Sequence, residues 1–437
     1  MADMDWTVMI YMAADNDLDE NGEIDIKKLK TAMIKAGGSK RVSVLVQYDR
    51  RGEQTTKRFE ITSNGAVKDF LKDIVEEVPE VGTGDPEELI KFLNWGIKFR
   101  PAHHYLVSLW GHGFGVDDEG DENRSEIRTS ASRIVRPPLF NKTVTNRLER
   151  LREAVNVDQL LNNISEASPL RDEDVSMDIF GGLVSIESIL PDETNKGFLS
   201  NVEMKYAFER VASDLGRKLD IVMMDACNMS MVEVGYQLKN SAEIMLASEE
   251  TTPVQGWPYD TILSRLIANP SIPTDTLASF MVHDYIASYE DDDVTQAASD
   301  LKIIDGLKMA VDKLANALLN NLLRPGFLDD LRVSLYYVQK YYIDGSFVDL
   351  YDFCHLLSKR TNITEVDDAC VAVKNIIDSN FIIASGKKGS SVRFSHGTAI
   401  YLPKESLKPL YASLDFVKQT RWGKFLEAYL QKTERTD

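Results

Sequence analysis

Leu106-Val107-Ser108-Leu109-Trp110-Gly111-His112-Gly113 and Ile221-Val222-Met223-Met224-Asp225-Ala226-Cys227 are built alike: a short apolar run breaks off at a turn that carries one chemically active side chain. Neither run alternates polar with apolar residues, so each is predicted to form a strand covered on both faces. Working outward, runs of the same kind occupy 6–13, 42–47, 104–110, 219–224 and 244–247. Between them, apolar residues recur at helical spacing over 26–36, 86–99, 201–218 and 229–239. Gly37-Gly38 stops the first of these, and Ser200-Asn201-Val202-Glu203 opens the third as a capping box. This alternation predicts an α/β fold, a mainly parallel β-sheet flanked by helices. From about 271 the texture changes, with helical periodicity over 277–289, 303–323, 328–342, 347–357 and 366–378, a strand at 398–402 and an amphipathic helix at 422–431. Two units are therefore expected: 1–270, built on the sheet, and a mostly helical 271–437.

The chain has 437 residues, 43% hydrophobic and 27% charged, which is enough to bury a large core. A formal charge of −19 argues against a nucleic-acid binder, because neutralising phosphates needs a basic face. No apolar run approaches the roughly 18 residues that a membrane span requires. The first residues hold neither a basic region nor a cleavage site, so the expectation is a cytoplasmic protein or a secreted one whose signal has been removed. Cys227, Cys354 and Cys370 are too few and too scattered for a disulfide framework or a zinc cluster. The acidity is uneven: 118–198 reads as an insertion, and within it 124–152 carries seven arginines and Lys142 against only Glu126 and Glu149.

His112 sits between glycines at the carboxyl end of a predicted buried strand, and Cys227 follows another such end by two residues. Sites in open α/β sheets form outside the carboxyl ends of the strands, so the two can meet there. A helix predicted to open within two residues of Cys227 would lower the thiol pKa. Thiol and imidazole together are the minimum for acyl transfer, while two unrelated loop residues remain the other reading. Cys354 and Cys370 fall within helical apolar patterns and are expected to fill the core. Asp17, Asp19 and Asn21 copy the first half of an EF-hand loop, but Lys28 stands where its bidentate glutamate belongs. Asp117-Asp118-Glu119-Gly120-Asp121-Glu122 is a second oxygen-rich stretch.

Several longer motifs follow one another along the chain: Met9-Ile10-Tyr11-Met12-Ala13-Ala14-Asp15-Asn16-Asp17-Leu18, Trp110-Gly111-His112-Gly113, Asp225-Ala226-Cys227, Ala247-Ser248-Glu249-Glu250 and Gly256-Trp257-Pro258-Tyr259. With Phe347-Val348-Asp349-Leu350 and Gly397-Thr398-Ala399-Ile400-Tyr401-Leu402-Pro403, their order and spacing resemble the clostripain family of cysteine peptidases, in the caspase-like superfamily with gingipains, legumains and separases. The resemblance implies a caspase-like catalytic unit over 1–270 and an endopeptidase that cuts after Arg or Lys. In it Cys227 would be the nucleophile, His112 its acid–base partner, and the amides of Gly113 and Cys227 the oxyanion donors. Asp225 would be the pocket acid, with Glu249 and Glu250 as further acids near the cleft. The chemistry would need no cofactor, though the resemblance brings in Ca2+ as a structural or activating ion. Self-cleavage at a basic residue between histidine and cysteine is also implied, and 124–152 offers suitable bonds. The partners expected are protein or peptide substrates with Arg or Lys before the cut, while oligomeric state is not fixed by the sequence. A transpeptidase, or a binding protein without hydrolysis, is the alternative on the same fold. The intact dyad argues against the binding protein, and a competing amine would separate ligation from hydrolysis.

Overall fold

The computed structural model describes residues 4–117, 189–195, 197–341, 344–408 and 410–433. In chain order its strands are β1 (Met4–Ala14), β2 (Val42–Arg50), β3 (Thr55–Glu60), β4 (Ile74–Pro79), β5 (Ala102–Trp110), β6 (Ile189–Asp192), β7 (Gly197–Leu199), β8 (Leu219–Asp225), β9 (Ala242–Ala247), β10 (Val294–Asp300), β11 (Lys340–Tyr341), β12 (Phe347–Asp349), β13 (Ile382–Lys388) and β14 (Ala399–Tyr401). Nine of them form one sheet in the order β13-β10-β9-β8-β5-β1-β2-β3-β4. The five apolar runs are its parallel centre, β9-β8-β5-β1-β2. Antiparallel strands extend both sides, β3 and β4 beyond β2 and β10 and β13 beyond β9. These outer strands were not foreseen, because charges punctuate Thr55–Glu60 and Ile74–Pro79, and Val294–Asp300 is largely small and polar.

Strand pleating sends alternate residues to opposite faces, so the sheet has an apolar layer on each side. Met9, Tyr11, Val107, Leu109, Val222 and Met224 pack with helices Pro86–Phe99, Asn201–Leu215 and Ile304–Asn321. Val8, Ile10, Leu106, Ile221 and Met223 pack with helices Asp19–Ala36, Tyr259–Ala268 and Thr274–Ala287. The capping box is present, since Ser200 Oγ accepts from the Glu203 amide at 3.2 Å and Glu203 Oε2 accepts from the Ser200 amide at 3.0 Å. Position 271 does not bound the sheet, because β10 and β13 complete it from the C-terminal side. Two predicted helices are also trimmed by strands: Phe327–Tyr337 gives way to β11, and β12 precedes the helix Leu350–Arg360.

One charged pair lies inside this packing. Lys30 Nζ donates to Asp73 Oδ2 at 2.7 Å and to the Asn64 carbonyl at 2.7 Å, with both side chains withdrawn from solvent. Removing the ammonium leaves a buried carboxylate uncompensated. Lys30→Met is therefore expected to lower unfolding free energy by about 3–5 kcal/mol in urea titration, and adding Asp73→Leu to recover much of that loss.

Candidate active site

The parallel register between β5 and β8 sets Trp110 opposite Asp225, and the Gly111 amide continues the ladder by donating to the Asp225 carbonyl at 3.1 Å. Two residues further on, His112 and Cys227 leave the sheet side by side. A Cβ on Gly113 would lie 2.6 Å from the Cys227 carbonyl oxygen, 2.8 Å from Ala226 Cβ and 3.0 Å from the Cys227 nitrogen. Only glycine lets the histidine turn close this tightly on the cysteine turn. The structure thus brings together His112, Gly113 and Cys227.

His112 Nε2 lies 2.7 Å from Asp17 Oδ1. Asp17 follows β1, the other neighbour of β5, and its bond to His112 holds the carboxyl below its ordinary pKa despite partial burial. With Nε2–H donating to that carboxylate, Nδ1 is the ring nitrogen left to accept a proton. The span 118–198 predicted as an insertion ends within the fold, as β6 and the start of β7, and braces the same turn: the Leu190 amide donates to the His112 carbonyl at 3.0 Å, and Ile189 bridges Gly113.

Around Cys227 the local structure departs from expectation. Asn228 takes a left-handed conformation (φ 59°), and the next helix, Val232–Leu238, opens only after Met231. The expected helix terminus at the thiol is therefore absent, since the extended turn 228–231 first ties itself to the chain after β9. Asn228 Nδ2 donates to the Glu249 carbonyl at 2.8 Å, and the Ser230 amide donates to the Ser248 carbonyl at 2.9 Å. Cys227 Sγ accepts from the Thr252 amide at 3.3 Å, and Thr252 Oγ1 donates to the Ala226 carbonyl at 3.3 Å. Burial pushes the thiol up to about 12; Glu250 and Asp225 add to the rise and the Thr252 amide opposes it. The expectation of a lowered thiol pKa is thereby corrected for this resting arrangement.

Asp225 lies beneath the 251–258 loop. Its Oδ2 accepts from Tyr259 Oη at 2.8 Å, and a Cβ on Gly256 would lie 3.5 Å from it and 3.1 Å from Asp25 Oδ2. Burial first, then the neighbouring Asp25, raises the Asp225 pKa. Asp25 accepts from Trp110 Nε1 at 2.8 Å and pairs with Lys28 at 2.6 Å. Lys28 also donates to the carbonyls of Gln255 and Trp257, at 2.5 and 3.3 Å, latching the loop. The remaining acids lie differently. Glu249 turns away, its Oε2 accepting from the Gly397 amide at 2.9 Å, and burial beside Asp349 raises its pKa well above the usual range. Glu250 Oε1 accepts from the Thr251 amide at 2.8 Å.

Asp17, Asp19 and Asn21 do not converge. The helix Asp19–Ala36 winds up the spacing that resembled a ligand loop. Asp17 faces His112, Asp19 binds Arg50 through two bonds of 2.8 and 2.9 Å, and Asn21 Nδ2 donates to the Val254 carbonyl at 3.2 Å. These residues do not fit a Ca2+ ion as they stand. Asp117 pairs with Lys408 at 3.0 Å, while 118–122 and the basic segment 124–152 lie outside the described residues. Sequence reasoning missed the Asp17–His112 contact and the roles of Asp25, Lys28 and Thr252 in closing the site. The signal for Asp17 was its place just after the first buried strand, but strand order in the sheet was needed to use it.

A family model described as the clostripain family matches residues 10–129 and 184–429, passing over 130–183. Clostripain from Hathewaya histolytica is 21% identical over 487 aligned residues, covering 94% of this chain and 80% of that one. A secreted C11 cysteine protease from Bacteroides thetaiotaomicron, solved with an irreversible peptide inhibitor, superposes with a TM-score of 0.60 at 16% identity over 97% of this chain and 99% of that one. An inactive zymogen C11 protease from Parabacteroides distasonis gives 0.60 at 16% identity over 96% and 99%. The chain belongs to the clostripain family. It is a cysteine peptidase, and its large mixed sheet between helices is the fold of the C11 proteases.

A thiol held near 12 rather than at the ordinary 8.5 of a free cysteine makes little thiolate at neutral pH. Alkylation of Cys227 by iodoacetamide, followed by intact mass, is expected to rise about tenfold per pH unit from pH 7 to 10, with no plateau in that range. A plateau near pH 7 would show an already ionised thiol.

Proposed function

We propose that this peptidase cuts after Arg or Lys, with Cys227 as nucleophile and His112 as acid–base partner. The observation that carries the proposal is the β5–β8 register, with the Gly113 backbone packed on Cys227. His112 Nδ1 takes the thiol proton as sulfur attacks the scissile carbonyl, and the imidazolium returns it to the leaving amine. Water, deprotonated by His112, then opens the thioester. The amides of Gly113 and Cys227 donate to the oxyanion. Asp17 holds the imidazole in the required tautomer through its contact with Nε2, without itself taking a proton.

Asp225 is the pocket acid for the cationic side chain before the cut. Its place two residues before Cys227, beside Asp25 on the same buried floor, supports that role. Before substrate can reach Asp225, the 251–258 loop must lift and Thr252 must release the sulfur. A resting site with a protonated, capped thiol and a covered floor suits a precursor, and one structural neighbour is described as an inactive zymogen. We assign the activating cut to the arginine-rich segment 124–152, most of which falls in the stretch passed over by the family model. No cofactor takes part in these steps.

Intact mass of wild type beside Cys227→Ala, incubated with a peptide carrying a single arginine, tests both claims. Wild type alone should cut the peptide after Arg and itself within 124–152. If wild type cuts elsewhere, the pocket assignment fails; if Cys227→Ala also cuts, the nucleophile is wrong. Asp17→Asn keeps the shape but removes the charge facing His112. Steady-state kinetics on the same peptide should show kcat lower by about 100-fold with KM little changed.

A further inference from the structure

Apart from the thiol and its partners, four carboxylates gather at the carboxyl ends of β1 and β2. Asp15 follows β1, Asp49 lies near the end of β2, Glu80 follows β4, and Asp192 ends β6. One carboxylate oxygen from each lies within 4.8 Å of the others. Asp15, Asp49 and Asp192 are buried, at 1%, 1% and 3% exposure.

Part of this cluster is satisfied. Asp15 Oδ2 accepts from the Thr194 amide at 2.9 Å, and Asp49 Oδ1 accepts from Thr56 Oγ1 at 2.6 Å. Asp192 accepts from the amides of Thr83 and Asn195 at 2.8 and 2.7 Å, and Glu80 Oε1 from Asn195 Nδ2 at 2.5 Å. Two buried oxygens, Asp15 Oδ1 and Asp49 Oδ2, have no hydrogen-bond partner. A buried carboxylate oxygen left unpaired is costly, and here two occur among acids that repel one another. Asp49 is raised to about 8, by burial first and then, against the Thr56 bond, by Asp192, Asp15 and Glu80.

We propose that Asp15, Asp49, Glu80 and Asp192 form a binding site for a hard divalent cation, Ca2+ in preference to Mg2+. The donors are all oxygen, which disfavours zinc and copper. Ca2+ accepts six to eight oxygens at about 2.3–2.6 Å in flexible geometry, and carboxylate oxygens that all lie within 4.8 Å of one another can share one such ion. Mg2+ demands near-ideal octahedral geometry and gives up its waters reluctantly, so a mostly buried set of four protein carboxylates suits it less. The site is separate from Asp19 and Asn21, whose side chains are engaged elsewhere.

Its location gives the ion a structural effect. Asp192 belongs to β6, at the end of the span predicted as an insertion, and this strand pairs with the His112 turn. The Asp15 carbonyl accepts from the Glu193 amide at 2.9 Å, and Asn16 Nδ2 donates to the carbonyls of Ala13 and Pro191, each at 3.0 Å. A bound cation would join this segment to β1 and β2 two residues before Asp17.

Binding can be read without peptidase activity, so failure here is distinct from failure of the proposed chemistry. Full-length Cys227→Ala, stripped with EDTA, is titrated with Ca2+ and separately with Mg2+ by calorimetry, and its melting is followed in parallel. One Ca2+ per chain is expected, bound at least tenfold tighter than Mg2+, with melting raised by about 2 °C or more at 100-fold excess over Kd. Asp49→Asn and Asp192→Asn should each weaken Ca2+ binding by at least about tenfold, while Asp19→Asn should not. In EDTA, Asp49→Asn should melt no lower than its parent, because it relieves repulsion, which separates lost binding from lost folding. Absence of heat and of a melting shift at millimolar Ca2+, or unchanged affinity in both cluster variants, would overturn the proposal.

Discussion

The pairing of β5 with β8 is the constraint on which the site depends. Parallel strands advance together, so fixing Trp110 against Asp225 also fixes how far each chain has run when it leaves the sheet. A slip of one residue would carry Val107, Leu109, Val222 and Met224 from one apolar layer to the other, and burial on both faces opposes it. The tight approach of Gly113 to Cys227 is a local result of that register. The placement of the His112 turn against the Cys227 turn is thus supplied by the hydrophobic core.

Around this frame, the surroundings of Cys227 and Asp225 are closed in two ways. The thiol is kept protonated by burial and nearby acids, and the floor acid is covered by a loop tied through Lys28 and Thr252. The two ties are linked through one segment, 251–258, so that whatever displaces it acts on Cys227 and Asp225 together.

The centre of the fold was legible in the sequence because five strands buried on both faces leave unbroken apolar runs. His112 and Cys227 were legible for a related reason, as chemically active residues stranded at the ends of such runs. The outer strands were not, since one-sided burial and small residues erase the signal in Thr55–Glu60 and Val294–Asp300. Asp17 shows a different limit: its oxygen-rich neighbours suggested a loop, whereas the structure puts it against His112 because β1 lies beside β5. Strand order is a long-range property, and spacing within one segment does not encode it. The turn after Cys227 failed for a local reason, the left-handed Asn228 delaying the helix to Val232.

β5 and β8 lie next to each other in the middle of the sheet, yet the insertion separates them along the chain. A single break anywhere in 118–188 would therefore yield two polypeptides whose common interface is the interior of the protein itself. Such a two-chain molecule keeps its shape as long as it stays folded. Once unfolded it must find its partner by collision, so recovery becomes dependent on concentration, and the protein's endurance is then governed by how slowly it opens.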